Sequence, residues 1–183
     1  VSEPKPWEQA SLDRAQDTAR RTAEPIAAPA KPPRRINIRQ KGANGERELA
    51  NELNAIVVQL LTKHGIPVPD KPVIQRNQNQ TAVGGNDLSN CFGIGIEVKR
   101  QEQLSVNKWW EQCVKSCAKN QEFPVLIYRQ NKQAWRVVMH CWVQLPVGSV
   151  AMMARGEVSW QFFLHWFHNW VDQKLSNGEL PQC

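Results

Sequence analysis

Three carboxylates and a lysine stand where the pattern of neighbouring residues calls for burial. Glu46 lies three residues before Leu49, four before Ala50 and seven before Leu53. On a helix it therefore belongs to the apolar stripe, whereas Glu48 and Glu52 fall on the solvated side. An isolated buried charge is very costly, so Glu46 needs a partner: a metal ion, a basic neighbour or, in part, the helix N-terminus. Further along, Phe92-Gly-Ile-Gly-Ile-Glu-Val-Lys99 alternates with the period of a strand. Ile94, Ile96 and Val98 take one face; Gly95, Glu97 and Lys99 take the other. Glu97 and Lys99 are then neighbours, about 7 Å apart along the strand. The glycines at 93 and 95 leave room on that face for a ligand. Asp87 follows Gly84-Gly85-Asn86, where a hairpin return would lay its carboxylate beside Glu97.

Such a set suits hydrolysis of phosphodiesters. Asp87 and Glu97, helped by the carbonyl of Val98, would hold Mg²⁺ through hard oxygen ligands, and Mn²⁺ would substitute. The ion would acidify a bound water and offset charge on the phosphate. Lys99 would orient the water or stabilise the transition state, and Glu46 would bind a second ion or a water of the first. Taken singly, each motif has a plainer explanation. A strand Glu-x-Lys is often a surface ion pair, and an Asp after Gly-Gly-Asn is often a turn residue. Only their combination, in this order along the chain, points to chemistry.

The elements that must position these residues can be read from the same sequence. Asn44 serves as an N-cap for a helix running to Lys63, with Gly65 as its stop and Leu49, Ala50, Leu53, Ile56, Val57, Leu60 and Leu61 as its stripe. Residues 73–83 hold the start of a strand and then a loop. A second helix is predicted over Ser105–Ala118, with Val106, Trp109, Trp110, Cys113 and Cys117 on one side. Two strands follow, Pro124–Tyr128 and Ala134–Met139, joined as an antiparallel hairpin. A last helix over Ser159–Leu175 carries Trp160, Phe163, Leu164, Phe167, Trp170 and Val171. The fold class is α/β, a mixed central sheet flanked by helices.

Lys41-Gly-Ala-Asn-Gly-Glu-Arg-Glu-Leu49, Asp87 and Ile96-Glu-Val-Lys99 together resemble the archaeal and phage Holliday junction resolvases of the PD-(D/E)xK nuclease superfamily. The resemblance continues through Leu104–Lys108, Phe123–Ile127 and Ala134–Val138, and spans residues 38–140. It implies a restriction-endonuclease-like sheet and a homodimer cutting branched DNA with magnesium. It also implies a catalytic set of Glu46, Asp87, Glu97 and Lys99, and phosphate contacts from Lys41, Arg47 and Arg76; Arg100 and Lys108 complete the candidate DNA-binding residues. A nuclease of this fold acting on nicks, flaps or replication intermediates, and a non-catalytic DNA-binding protein, are the alternatives.

Composition supports an anionic macromolecular partner over a small-molecule substrate. The formal net charge is +6 and the pI about 9.2. Residues 1–41 hold nine Lys/Arg against five Asp/Glu. Residues 1–40, rich in Pro, Ala and Arg, are read as a flexible basic arm, 41–145 as the nuclease core, and 146–183 as a C-terminal helical extension, a candidate dimerisation element. No apolar run reaches the length of a membrane span. The polar start Val1–Trp7 does not read as a signal peptide, so a cytoplasmic setting is expected, that of the host for a phage protein. The five cysteines contain no CxxC pair. Cys113 and Cys117 with His165 and His168 lack the usual zinc spacings, so buried thiols acting as small hydrophobes are expected.

Overall fold

A computed structural model describes Arg14 and residues 38–77, 86–143 and 151–180. The chain divides into two units between Arg35 and Ile36, and the sheet with its helices belongs to Ile36–Cys183. The basic arm expected over 1–40, the Gly84-Gly85 turn and Cys183 lie outside the described residues, Arg14 and the start of the first helix excepted.

The elements in order are α1 (Ile38–Lys63), β1 (Gln75–Arg76), β2 (Leu88–Ser89), β3 (Ile94–Arg100), α2 (Val106–Asn120), β4 (Phe123–Arg129), β5 (Arg136–Val143), β6 (Met152–Ser159) and α3 (Trp160–Ser176). The strands form one six-stranded sheet in chain order. Every neighbouring pair is antiparallel except β3–β4, which α2 connects in parallel. The expected mixed sheet flanked by helices is what the chain forms.

Alternation along the strands sorts the core into two layers. On one face Ile94, Ile96, Val125, Ile127, Val137 and Met139 pack against Leu49, Leu53, Val57, Leu60 and Leu61 of α1 and Phe163, Phe167 and Val171 of α3. On the other, Leu126, Tyr128 and Val138 meet Trp109 and Trp110 of α2. Each fully buried aliphatic side chain contributes about 1.5–3 kcal/mol of transfer free energy, which fixes both helices to the sheet.

Two elements differ from expectation. First, α1 begins at Ile38, so Asn44 is not its N-cap: it is an exposed residue inside the helix whose Oδ1 accepts from Gln40 Nε2 at 3.1 Å and Arg47 Nη1 at 3.0 Å. Glycine is a poor helix former, but at Gly45 tertiary packing overrides propensity: a Cβ there would lie 3.3 Å from Cη2 of Trp135. Second, the segment read as a helical extension contributes a strand before its helix: β6 pairs with β5 over eight positions, Arg136↔Ser159 to Val143↔Met152. Its alternation was hidden because its partly buried positions are Ala154, Gly156 and Val158, two of them nearly without side chain. At Gly156 a Cβ would come within 2.8 Å of Cys141 Sγ.

Candidate active site

The site forms around β3. In the β2–β3 ladder Leu88 opposes Ile96, and both belong to the core under α1 and α3. Just before β2, Asp87 is held to β3 by its N–H, which donates to the carbonyl of Ile96 at 2.9 Å. The carboxylates of Asp87 and Glu97 both lie beside β3, the latter on the α2 face with Lys99. They are 6% and 2% exposed, while the Lys99 side chain is 19% exposed. Two buried anions beside one strand require cationic or donor partners.

Each carboxylate has such partners. Asp87 Oδ2 accepts from the backbone N–H of Val98 at 2.5 Å. Glu97 Oε1 accepts from Lys99 Nζ and from Gln112 Nε2, the latter at 3.1 Å across from α2. The sequence reading missed Gln112, although its place beside the apolar stripe of α2, three residues after Trp109, brings it to the same face.

Glu46 comes from the opposite layer. Its side chain is 13% exposed and its Oε2 accepts from Arg76 Nε on β1, so a basic neighbour supplies the compensation its stripe position demands. The link to Asp87 runs through the next residue: Asn77 N–H donates to the Asp87 carbonyl at 2.8 Å, and Asn77 Nδ2 to the Asn86 carbonyl at 3.1 Å. Glu97 and Lys99 thus share one sheet face, Asp87 is bonded to the backbone of the same strand, and Glu46 is tied to β1 through Arg76. Among the described residues no group of three or more His, Cys, Asp or Glu is set to hold a metal ion. The donor type does suit a hard divalent cation, since Asp87 and Glu97 are both buried carboxylates beside β3.

The space expected beside Gly95 is filled. A Cβ on Gly95 would collide with Cys117 Sγ and lie 2.5 Å from Asn86 Nδ2. The glycine is needed for close packing of α2, not for ligand access. Cys117 Sγ donates to Asn86 Oδ1 and to the Gly95 carbonyl, both at 3.5 Å, and Asn86 Nδ2 donates to Glu122 Oε2 at 2.5 Å. Asn86, buried at 4% exposure, therefore anchors the residue before Asp87 to the end of α2. No sequence signal marks Asn86 or Glu122, because their pairing spans 36 positions. Cys91, Cys113 and Cys117 are buried free thiols, as expected. The hydrogen bond with Cys117, then burial, pushes the Cys113 thiol far above the ordinary range, so it stays protonated.

The candidate DNA-binding residues fall in different places. Arg47 and Arg76 line one cavity between α1 and the 71–76 segment. Lys41 Nζ is bound to Glu102 at 2.9 Å, and its ammonium, with Arg100 further off, holds the exposed Glu102 carboxyl below its ordinary value. Arg100 is half-buried, and its Nε has no hydrogen-bond partner among the described residues. Lys108 is exposed in the first turn of α2, in the layer across the sheet from α1.

Residues 37–161 match the family model described as "Phage putative PDDEXK endonuclease". The chain belongs to this family. The matched span takes in α1, all six strands and α2, and with them Glu46, Asp87, Glu97 and Lys99. No curated protein matches the sequence. Among solved structures, Hjc of Archaeoglobus fulgidus, a Holliday junction resolvase from an archaeal hyperthermophile, is similar at 17% identity, over 78% of this chain and 99% of its own, with a TM-score of 0.34. That likeness is too distant to bear on the chemistry of this PDDEXK chain. Among the described residues no helix is long and apolar enough to cross a membrane.

Proposed function

We propose that this PDDEXK family member is a metal-dependent endonuclease of branched DNA, four-way junctions first among them. The observation that carries the reading is the pair of buried carboxylates gathered at β3: Glu97 on the strand, bonded to Lys99, and Asp87 just before β2, bonded to the N–H of Val98. Asp87 and Glu97, with the carbonyl of Val98, would hold Mg²⁺, or Mn²⁺ in its place. When bound, such an ion supplies an acidified water and offsets charge on the phosphate. Lys99 orients the attacking water and stabilises the charge developing on the phosphoryl oxygens. The water oxygen forms a bond to phosphorus as one P–O ester bond breaks. Glu46, neutralised by Arg76, closes the site on the α1 side and contributes a further metal or water contact. Lys41, Arg47, Arg76, Arg100 and Lys108 contact the backbone of the DNA. In this reading the protein works as a homodimer in the host cytoplasm, with residues 1–40 as a basic arm and 146–183 as the dimerising element.

The test is cleavage of a synthetic four-way junction, a flap, a nicked duplex and a linear duplex with Mg²⁺ or Mn²⁺. Junction cutting well above linear cutting is expected. Equal cutting of flaps or nicks would move the substrate within the same chemistry. DNA binding without cutting under either ion would make the chain a non-catalytic binder. Asp87→Asn and Glu97→Gln are each expected to reduce cleavage by ~10³-fold or more, the several kcal/mol that metal assistance supplies, while binding is kept or strengthened. Cutting by either variant at the wild-type rate would remove it from the metal site.

A further inference from the structure

We propose that the cavity between α1 and β1 is a phosphate subsite, seating one phosphodiester unit of the DNA strand away from the bond being cut. The inference rests on the nuclease reading and extends it to a residue with no role so far, Lys71. The cavity has a volume of about 330 Å³ and is lined by cations from two elements, Arg47 of α1 and Lys71 and Arg76 of the 71–76 segment. Among the described residues no carboxylate lines it; the remaining walls are the amides of Asn51, Asn54 and Gln75 over a floor of Ala50, Pro72 and Ile74. Arg47 and Lys71 add positive charge beyond the Arg76–Glu46 ion pair, and with no carboxylate among the lining residues this selects an anion. The volume lies at the lower end of ligand pockets, about 300–1,000 Å³, which suits a single nucleotide unit and not a duplex.

The walls are fixed before any ligand arrives. Asn54 Nδ2 donates to the carbonyls of Ala50 and Ile74, each at 2.8 Å, and Asn54 Oδ1 accepts from Ile74 N–H at 2.9 Å. This clamp holds the 72–76 segment against α1. Arg76 is oriented through its Nε by Glu46, so its remaining guanidinium N–H groups are available to the cavity it lines. Arg47 is steadied by Asn44 at 3.0 Å. Lys71 is exposed at the rim, and its chain neighbour Asp70, also exposed, is not among the lining residues. Preorganised donors bind an anion at low ordering cost. Arg76 also ties the cavity to Glu46, and so to the sheet edge that carries Asp87, which identifies the anion as a phosphate of the strand lying across the site.

The experiment uses the full chain carrying Glu97→Gln, so that DNA is bound and not cut, with a labelled four-way junction and a matched linear duplex. Affinity is read by fluorescence anisotropy between about 50 and 200 mM salt. Adding Lys71→Ala is expected to weaken binding to both DNAs and to reduce the slope of log K against log salt by about 0.7–0.9, one phosphate's worth, with Lys71→Arg restoring it. A single neutral methylphosphonate, moved stepwise along the strand, is expected to weaken the parent protein at one position and to add nothing to Lys71→Ala there. An unchanged salt slope in Lys71→Ala, or additive losses at every methylphosphonate position, would overturn the subsite. Competition by a free deoxynucleoside monophosphate at micromolar concentration, lost in Lys71→Ala, would overturn the strand assignment in favour of a mononucleotide site. If the parent binds DNA and the chain without Glu97→Gln cuts it, these failures touch the cavity alone. If no DNA is bound at all, the nuclease reading falls with it.

Discussion

Gly95 shows how little freedom the residues around Glu97 have. Its α-carbon faces Cys117 Sγ and Asn86 Nδ2 so closely that one added methyl must displace one or both. Gly95→Ala is expected to cost about 1–3 kcal/mol, the range for overpacking a filled core, read as a lowered urea midpoint at unchanged slope. Because Asn86 precedes Asp87 and is tied to Glu122, the same variant is expected to slow cleavage by more than its stability loss explains. The pairing of Glu97 with Lys99 and the partial burial of Glu46 were legible in the sequence, since both follow from local periodicity. The neighbours that complete the site were not. Cys117 meets Gly95 across 22 positions and Arg76 meets Glu46 across 30, and periodicity carries no information at that range.

At the scale of elements, α1 is held at both ends. Near its start Trp135 packs on Gly45, donates to Glu48 Oε1 at 3.1 Å and lies 4.0 Å beneath the guanidinium of Arg129, which itself bonds Glu48 at 2.5 Å. Trp135→Ala is expected to destabilise by about 3–5 kcal/mol in denaturant unfolding, with Trp135→Phe retaining much of the packing. Near its end Asp172 of α3 receives Lys63 at 2.8 Å and His64 at 2.6 Å. His64 thus ties the end of α1 to α3. Lys63 first, then His64, hold the Asp172 carboxyl below its ordinary value of 3.8. A lowered carboxylate stabilises the fold above its unfolded value, and that stability is lost as pH falls through the folded value. Asp172→Asn is therefore expected to lower Tm at neutral pH and to converge with the parent well below pH 3.8, which thermal melts across pH would show. Stripes and stops marked these helices in the sequence; the early start of α1 was hidden because Gly42 and Gly45 look like breakers until Trp135 is in place.

Across the whole molecule, charge and sheet order tell different stories. Much of the net positive charge sits before Lys41, outside the sheet that carries the candidate site. Deleting residues 1–36 is expected to weaken DNA binding and flatten its salt dependence while leaving the cleavage rate of bound DNA intact, as anisotropy and single-turnover cleavage would register. An unchanged slope would reduce those residues to a tether. The mixed sheet was readable because its central strands are apolar and regular, whereas β6 was not, since Gly156 and Ala154 give it no hydrophobic signature.

The outermost position of β6 has a practical bearing on how this protein behaves in the tube. An eight-residue strand at a sheet margin offers its unused amides and carbonyls as a template for another chain, and two exposed methionines, Met152 and Met153, start this one. Arg155 and Glu157, both solvent-facing, are what discourage such stacking. Replacing that pair with valine would turn a margin that repels into one that recruits, and turbidity on concentration would follow before any loss of helix content.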